Sequence, residues 1–306
     1  MSPSASVLHR NDVFGSIPTS GQPPVRIQVL GHFQAEGDHG CATPSAPKVR
    51  QVLALLAVNA HQVVPVSAIF RELWPEEAPR TALRTVQTYL GQLRKLLADA
   101  TGLPTAVVAK DMLVTEGRGY MLRGGAVTLD TREFERLVNR ARSAAAAQDH
   151  AKAAMLFTSA LALWRGPALA NVQAGPLLHA HIGWLEESRL SVVEQWIAAK
   201  LALQQHQDVL GDLTALAVQH PLNEGLHAQL MTVLHRCGRR ASALEVYQQL
   251  RTRLIEHIGL EPSSQVRALQ QVILAGDQLP EAVTALGGAA SRRLADRGRR
   301  GLARPA

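Results

Sequence analysis

At 306 residues the chain can hold two domains of about 100–200 residues each, and an apolar share of 46% excludes a chain disordered throughout. Aromatic residues make up only 4%, beside abundant Ala and Leu, which favours helices over sheets. The formal net charge of +7 invites a nucleic-acid partner, but six Arg against one Asp in residues 291–306 supply +5 of it. Residues 1–24, rich in Ser, Pro and Gly, read as a flexible leader without an apolar signal region. Val25, Ile27 and Val29 then alternate, which predicts a half-buried strand, with a second through Phe33. Gly31 suits a bend, and Gly37-Asp38-His39-Gly40 is turn chemistry.

Residues 48–59, KVRQVLALLAVN, form the first strong helix, with Val49, Val52, Leu53 and Leu56 on one face and Pro47 at the start, where a missing N–H is harmless. A short extended piece at 62–65 follows. Ser67 is expected to cap a short helix, SAIFRELW, that stops at Pro75, with Ile69, Phe70, Leu73 and Trp74 as its apolar side. A third helix runs over 82–98. Val86, Leu90, Leu93 and Leu97 make one core-facing stripe, and the other side carries Arg84, Gln87, Thr88, Gln92, Arg94 and Lys95 with no acid. After a loop around Gly102 and Pro104, residues 107–122, VVAKDMLVTEGRGYML, read as two short strands turning at Gly117-Arg118-Gly119. From Thr128 onward strand signals vanish. Helices are expected at 131–147, 150–164, 177–206, 209–220, 223–237, 240–258 and 263–275. Paired helices with short turns point to a helical repeat array. Ala153 with Phe157, and Ala243 with Tyr247, sit where TPR-like packing places small and aromatic residues.

The third helix carries the strongest functional signal. Arg and Lys suit the phosphate backbone, and Gln and Arg can reach base edges in the major groove. A polar face alone is also what any solvated helix shows. The order strands, three helices, hairpin is that of a winged helix, in which this helix enters the groove. Residues 80–123 support it, with seven basic side chains against three acidic. The loop Pro75-Glu76-Glu77-Ala78-Pro79-Arg80 sets two acids between two prolines; it is either a plain connector or a rigid contact for a polymerase. The Arg-rich tail either tracks phosphates or is a bystander.

Other chemistry finds no support. Cys41 and Cys237 form no C-x-x-C pair. His179 and His181, like His235 and Cys237, are two apart on a helix and diverge, which is poor metal geometry. There is no P-loop and no G-x-S-x-G. Glu186-Glu187 are adjacent on a helix, not facing across a cleft. No enzyme activity and no cofactor are expected. No stretch approaches the roughly 18 apolar residues of a membrane helix, so the expected location is the cytoplasm.

At these residues the chain resembles the SARP family, actinobacterial activators of antibiotic biosynthesis gene clusters. APKVRQVLALLAVNAHQVVPVSAIFRELW, TALRTVQTYLGQLRKLL and GRGYML are similar to an OmpR-type winged helix-turn-helix. LDTREFERLV, ALALWRGPAL, LEESRL and the stretch from HPLNEGLHAQL to VRALQQVIL are similar to the family's bacterial transcriptional activator domain. The excess of Arg over Lys, 27 to 5, fits a GC-rich source. The resemblance implies a mainly α chain: the leader, a winged helix-turn-helix with small antiparallel β elements at 25–124, an all-α TPR-like domain at 128–276, and the tail at 277–306. It implies binding to double-stranded promoter DNA as a pair on direct repeats, and recruitment of RNA polymerase holoenzyme through loop 75–80. Arg84 and Arg94 match groove-edge positions, Gln87 and Gln92 match base-facing ones, and Thr88, Lys95 and Arg118 complete the expected DNA face. Family members often carry Ser-Arg where this chain has Gly91-Gln92. The chain stops before the NTPase domain of large members, which implies a small stand-alone type. The alternative is a TPR-type protein-interaction scaffold whose N-terminal domain does not bind DNA.

Overall fold

The computed structural model describes residues 25–276; the expected leader and Arg-rich tail lie outside the described residues. By packing, the described chain divides into two units, 25–133 with 163–186, and 134–162 with 187–276.

The first unit opens with β1 (Val25–Gln28) and β2 (Gln34–Gly37), antiparallel, with the two-residue β3 (Gly40–Cys41) beyond β2. Val25, Ile27, Val29 and Phe33 are fully buried, as the alternation predicts. Helix α1 (Pro47–Val58) has Pro47 in its first turn and buries nearly every side chain from Val49 to Ala57. β4 (Val64–Pro65) leads straight into α2 (Val66–Leu73). Ser67 is not the cap: Pro65 holds that position with no side-chain bond, because the paired strand feeds directly into the helix. Trp74 closes α2, its N–H donating to the Phe70 carbonyl at 2.8 Å. Helix α3 (Ala82–Thr101) runs three residues past the expected end and stops at Gly102, whose φ of +69° is the left-handed region that glycine tolerates.

Two expectations fail beyond α3. Residues 107–112 are not strand. A short helix, α4 (Thr105–Val107), continues into a π-type turn, Val108–Met112, that buries Val107, Val108 and Met112. The Val-Val pair has strand propensity, but burial against the core decides the backbone. The hairpin is β5 (Leu113–Glu116) with β6 (Gly119–Leu122), and β4 joins β6 to give a three-stranded sheet. The second failure is β7 (Val127–Leu129), which pairs parallel to β1 and completes the order β3-β2-β1-β7. Its three residues are too few to show a period.

Residues 163–175 form a strap bonded to the connection between β1 and β2. Arg165 N–H donates to the Leu30 carbonyl (2.9 Å) and Leu169 N–H to that of Val29 (3.0 Å), while the Asn171 carboxamide brackets the Phe33 backbone (2.6 and 3.2 Å). Asp130 accepts the Val29 N–H at 2.9 Å and that of Leu30 at 3.1 Å, and pairs with Arg165 at 2.9 Å. Burial raises the Asp130 carboxyl above its ordinary value, and these backbone donors and Arg165 oppose the rise.

Helices α5 (Asp130–Ala146) and α7 (Pro176–Ala202) each contribute to both units. The second unit adds α6 (His150–Leu161), α8 (His206–Gln219), α9 (Glu224–Arg236), α10 (Arg240–Ile258) and α11 (Ser264–Ala275). Asp149 caps α6 through the Lys152 N–H (3.0 Å), and Asn223 caps α9 through that of Leu226 (3.1 Å). Gln148, Gln204 and Gly238 turn the chain between helices at positive φ. Ala153, Phe157, Ala243 and Tyr247 are all buried. The cluster holding Ala243 and Tyr247 draws on α7 through α11, including Ile197, Leu213, Met231 and Ile273. No helix among the described residues is long and apolar enough to cross a membrane.

Candidate nucleic-acid interface

The α3 helix divides cleanly by face. Val86, Leu90, Leu93 and Leu97 are at most 1% exposed, so their stripe is the inner one. Arg84, Gln87, Thr88, Gly91, Gln92 and Lys95 are all exposed, at successive spacings of three, one, three, one and three. At 3.6 residues per turn these six share one face about 140° wide. No acid falls on α3 before Asp99, in its last turn. The Thr88 hydroxyl donates to the Arg84 carbonyl at 3.0 Å, which leaves its oxygen facing outward as an acceptor. A Cβ built at Gly91 would meet nothing within 4 Å.

Arg94 stands apart from this face. Its Nε donates to the Leu113 carbonyl at 3.0 Å and its Nη2 to the Thr115 hydroxyl at 2.9 Å, so the guanidinium ties α3 to wing strand β5. Sequence spacing places Arg94 at the margin of the outer face, about 20° beyond Gln87, but does not show which strand it meets. Arg118 is exposed at the tip of the β5–β6 turn, next to Gly117 with φ +57°. Gly119, just beyond, has no room for a side chain: a Cβ there would lie 2.6 Å from the Val64 carbonyl oxygen. That close approach lets β4 brace the wing from its other side.

Residues 75–80 are all exposed, and the Pro79 carbonyl accepts the Ala82 N–H at 2.8 Å, which joins the loop to the start of α3. The residue behind the loop is one that the sequence reading passes over. Glu72, on α2, is 1% exposed, and its carboxylate reaches the backbone at Gly175, Leu177 and Leu178. A Glu on the apolar side of a short helix was the available signal. Among the described residues no group of three or more His, Cys, Asp or Glu is placed to hold a metal.

Comparison with known proteins adds a second line. Residues 42–122 match the family described as "Transcriptional regulatory protein, C terminal", and residues 129–274 match "Bacterial transcriptional activator domain". The chain is 41% identical over 253 residues to Regulatory protein DnrI of Streptomyces peucetius, covering 83% of this chain and 93% of that protein. It is 34% identical over 263 residues to Regulatory protein AfsR of Streptomyces griseus, covering 86% of this chain and 26% of AfsR. A solved structure of Mycobacterium tuberculosis EmbR, in complex with a low-affinity phosphopeptide, superposes with a TM-score of 0.79 at 27% identity, covering 91% of this chain and 72% of that one.

Proposed function

Because the chain belongs to the SARP family of transcriptional regulators, an OmpR-type winged helix followed by a bacterial transcriptional activator domain, we propose that it binds promoter DNA in a sequence-specific way and activates transcription. The observation that carries the reading is the exposed, acid-free face of α3 beside a braced wing. Gln87 and Gln92 read base edges, Arg84 and Lys95 hold phosphates, Thr88 accepts from the groove, and Arg118 reaches the backbone from the wing tip. Arg94 acts by holding the wing against α3. Two copies sit on direct repeats, and the regulated genes belong to an antibiotic or other secondary-metabolite pathway in the same cytoplasm.

Loop 75–80 meets RNA polymerase in this reading. It is exposed throughout, and two prolines limit its backbone. Genome-wide DNA pull-down followed by footprinting tests the whole. A footprint holding two direct repeats is the expected result; no enrichment of any sequence would favour the scaffold alternative.

A further inference from the structure

We propose that Glu72 is a positioning residue for activation, fixing the end of α2 from which loop 75–80 departs; the proposal rests on the reading of that loop as the polymerase contact. The carboxylate is fully engaged. One oxygen accepts the Gly175 N–H at 2.6 Å and Gln51 Nε2 at 3.1 Å, and the other accepts the N–H groups of Leu177 at 2.8 Å and Leu178 at 3.2 Å. Those backbone donors open α7, where partial positive charge favours a carboxylate. The main chain of Glu72 is held as well. Its carbonyl accepts Gln51 Nε2 at 2.9 Å, and the next carbonyl, that of Leu73, accepts Lys48 Nζ at 2.8 Å. The last carbonyls of a helix have no partner within the helix itself. Gly175 lies so close that a Cβ on it would stand 2.1 Å from the Glu72 carbonyl oxygen.

The fold of α2 does not by itself require a buried charge. A well-packed apolar side chain in such a position is often as stable as a buried ionic group or more so. What the carboxylate adds is a directional grip: it sets where α2 ends relative to the strap, two residues before the loop begins. The loop's other root is the start of α3. With both roots fixed, two acids between two prolines are presented at a set place beside the start of the DNA-reading helix. Glu72 touches neither DNA nor polymerase; it acts through the loop.

The test uses the full chain, its operator and purified RNA polymerase, and reads transcripts at operator-saturating activator. Saturation separates the roles, because a merely structural loss raises the concentration needed but leaves the plateau intact. Glu72→Gln keeps the shape but turns an amide N–H₂ toward the Leu177 and Leu178 donors. Its plateau is expected to fall about tenfold, as for loss of charge-assisted bonds, while operator affinity stays within about twofold. Gln51→Leu loosens the same grip from the other side by removing its Nε2 donor to Glu72, and strands no carboxamide oxygen partner among the described residues; a plateau reduced about threefold is expected. Changing Glu76 and Glu77 together to Ala lowers the plateau if the loop reading holds. Plateaus unchanged in both Glu72→Gln and Gln51→Leu, with the loop variant reduced, would overturn the role of Glu72 and leave the loop reading standing. An unchanged plateau in the loop variant would remove the loop reading and this proposal with it.

Discussion

The two units are held together in different ways. In the first, the decisive bonds join distant parts of the chain: Val29 to Asp130 across 101 positions, Gly175 to Glu72 across 103, and Phe33 to Asn171 across 138. In the second, bonds between elements span shorter stretches, 53 positions from Arg142 to Gln195, 39 from Glu224 to Ser263 and 38 from Thr158 to Trp196, and the caps that start α6 and α9 reach only three residues forward. Local bonds make helices that a short stretch of sequence can specify. Distant bonds make a surface whose parts keep fixed relations, which is what a DNA-reading helix beside a wing and an activation loop needs.

The largest effect should come from the core under the reading face. Leu93 is 0% exposed, so Leu93→Ala should destabilise the first unit by about 2–5 kcal/mol through the cavity it leaves. Operator binding should be lost with it. The cluster in α7 through α11 is a separate core, so amide exchange there should stay slow. Protection lost evenly through both units would break the comparison, because it would mean one cooperative core.

A matched pair of substitutions sharpens it. Asp130→Ala leaves the Val29 and Leu30 N–H groups without their acceptor and takes the carboxylate from the Arg165 guanidinium, which keeps its bond to Gln28. Each buried donor left without an acceptor costs about 1–3 kcal/mol. Asp149→Ala removes one exposed cap and should cost about 1 kcal/mol. Exchange should quicken for Asp130→Ala at β1 and the strap, far from the mutation in sequence, and for Asp149→Ala only in the first turn of α6. If both variants stay local, the strap does not stitch the first unit.

What could be read beforehand follows the same division. The buried stripe and outer face of α3 were legible because 3.6-residue periodicity shows within one segment, and the helices of the second unit were legible with ends off by a few residues. β7 was not, since Val127-Thr128-Leu129 becomes a strand only through a partner about a hundred positions earlier. Residues 107–112 misled because Val-Val propensity is overridden by burial. Ser67 looked like a cap, but the strand at Pro65 had already fixed where the helix begins. The DNA face was visible as a pattern of exposed side chains. The hold of Glu72 on the strap and of Arg94 on the wing was not, because each partner lies on another element.

Within the interface, Gln92 and Arg94 test whether this division extends to DNA reading. They diverge by about 200° on the helix. Gln92→Ala should relax preference at one base pair per half-site, costing roughly 1–3 kcal/mol on the preferred site and little on others. Arg94→Ala should free the wing from α3. Its expected signature is loss of hydroxyl-radical protection under the wing, with the base preference of α3 retained. Competition binding with single-base operator variants measures the first effect and footprinting the second. A reshaped preference profile in Arg94→Ala, with none in Gln92→Ala, would reverse the two roles.

The smallest effect belongs to Gly91, where stability and reading can be pulled apart. A mid-helix Gly costs about 0.5–1 kcal/mol relative to Ala through the backbone freedom it must lose. The position is exposed, and a Cβ there meets nothing within 4 Å, so Gly91→Ala carries no steric charge against the fold. Thermal unfolding of the first unit should therefore shift upward by the corresponding few degrees. The added methyl lies near the middle of the outer face, between the turns of Thr88 and Lys95. If that face enters the groove, the methyl meets base edges and shifts preference toward thymine at one position, since an Ala side chain packs on the thymine methyl. Non-specific binding, which depends on phosphates, should not change. A stabilised variant with an unaltered preference profile would mean that the face stays outside the groove; a destabilised one would mean that the backbone at Gly91 is not the open helix described above.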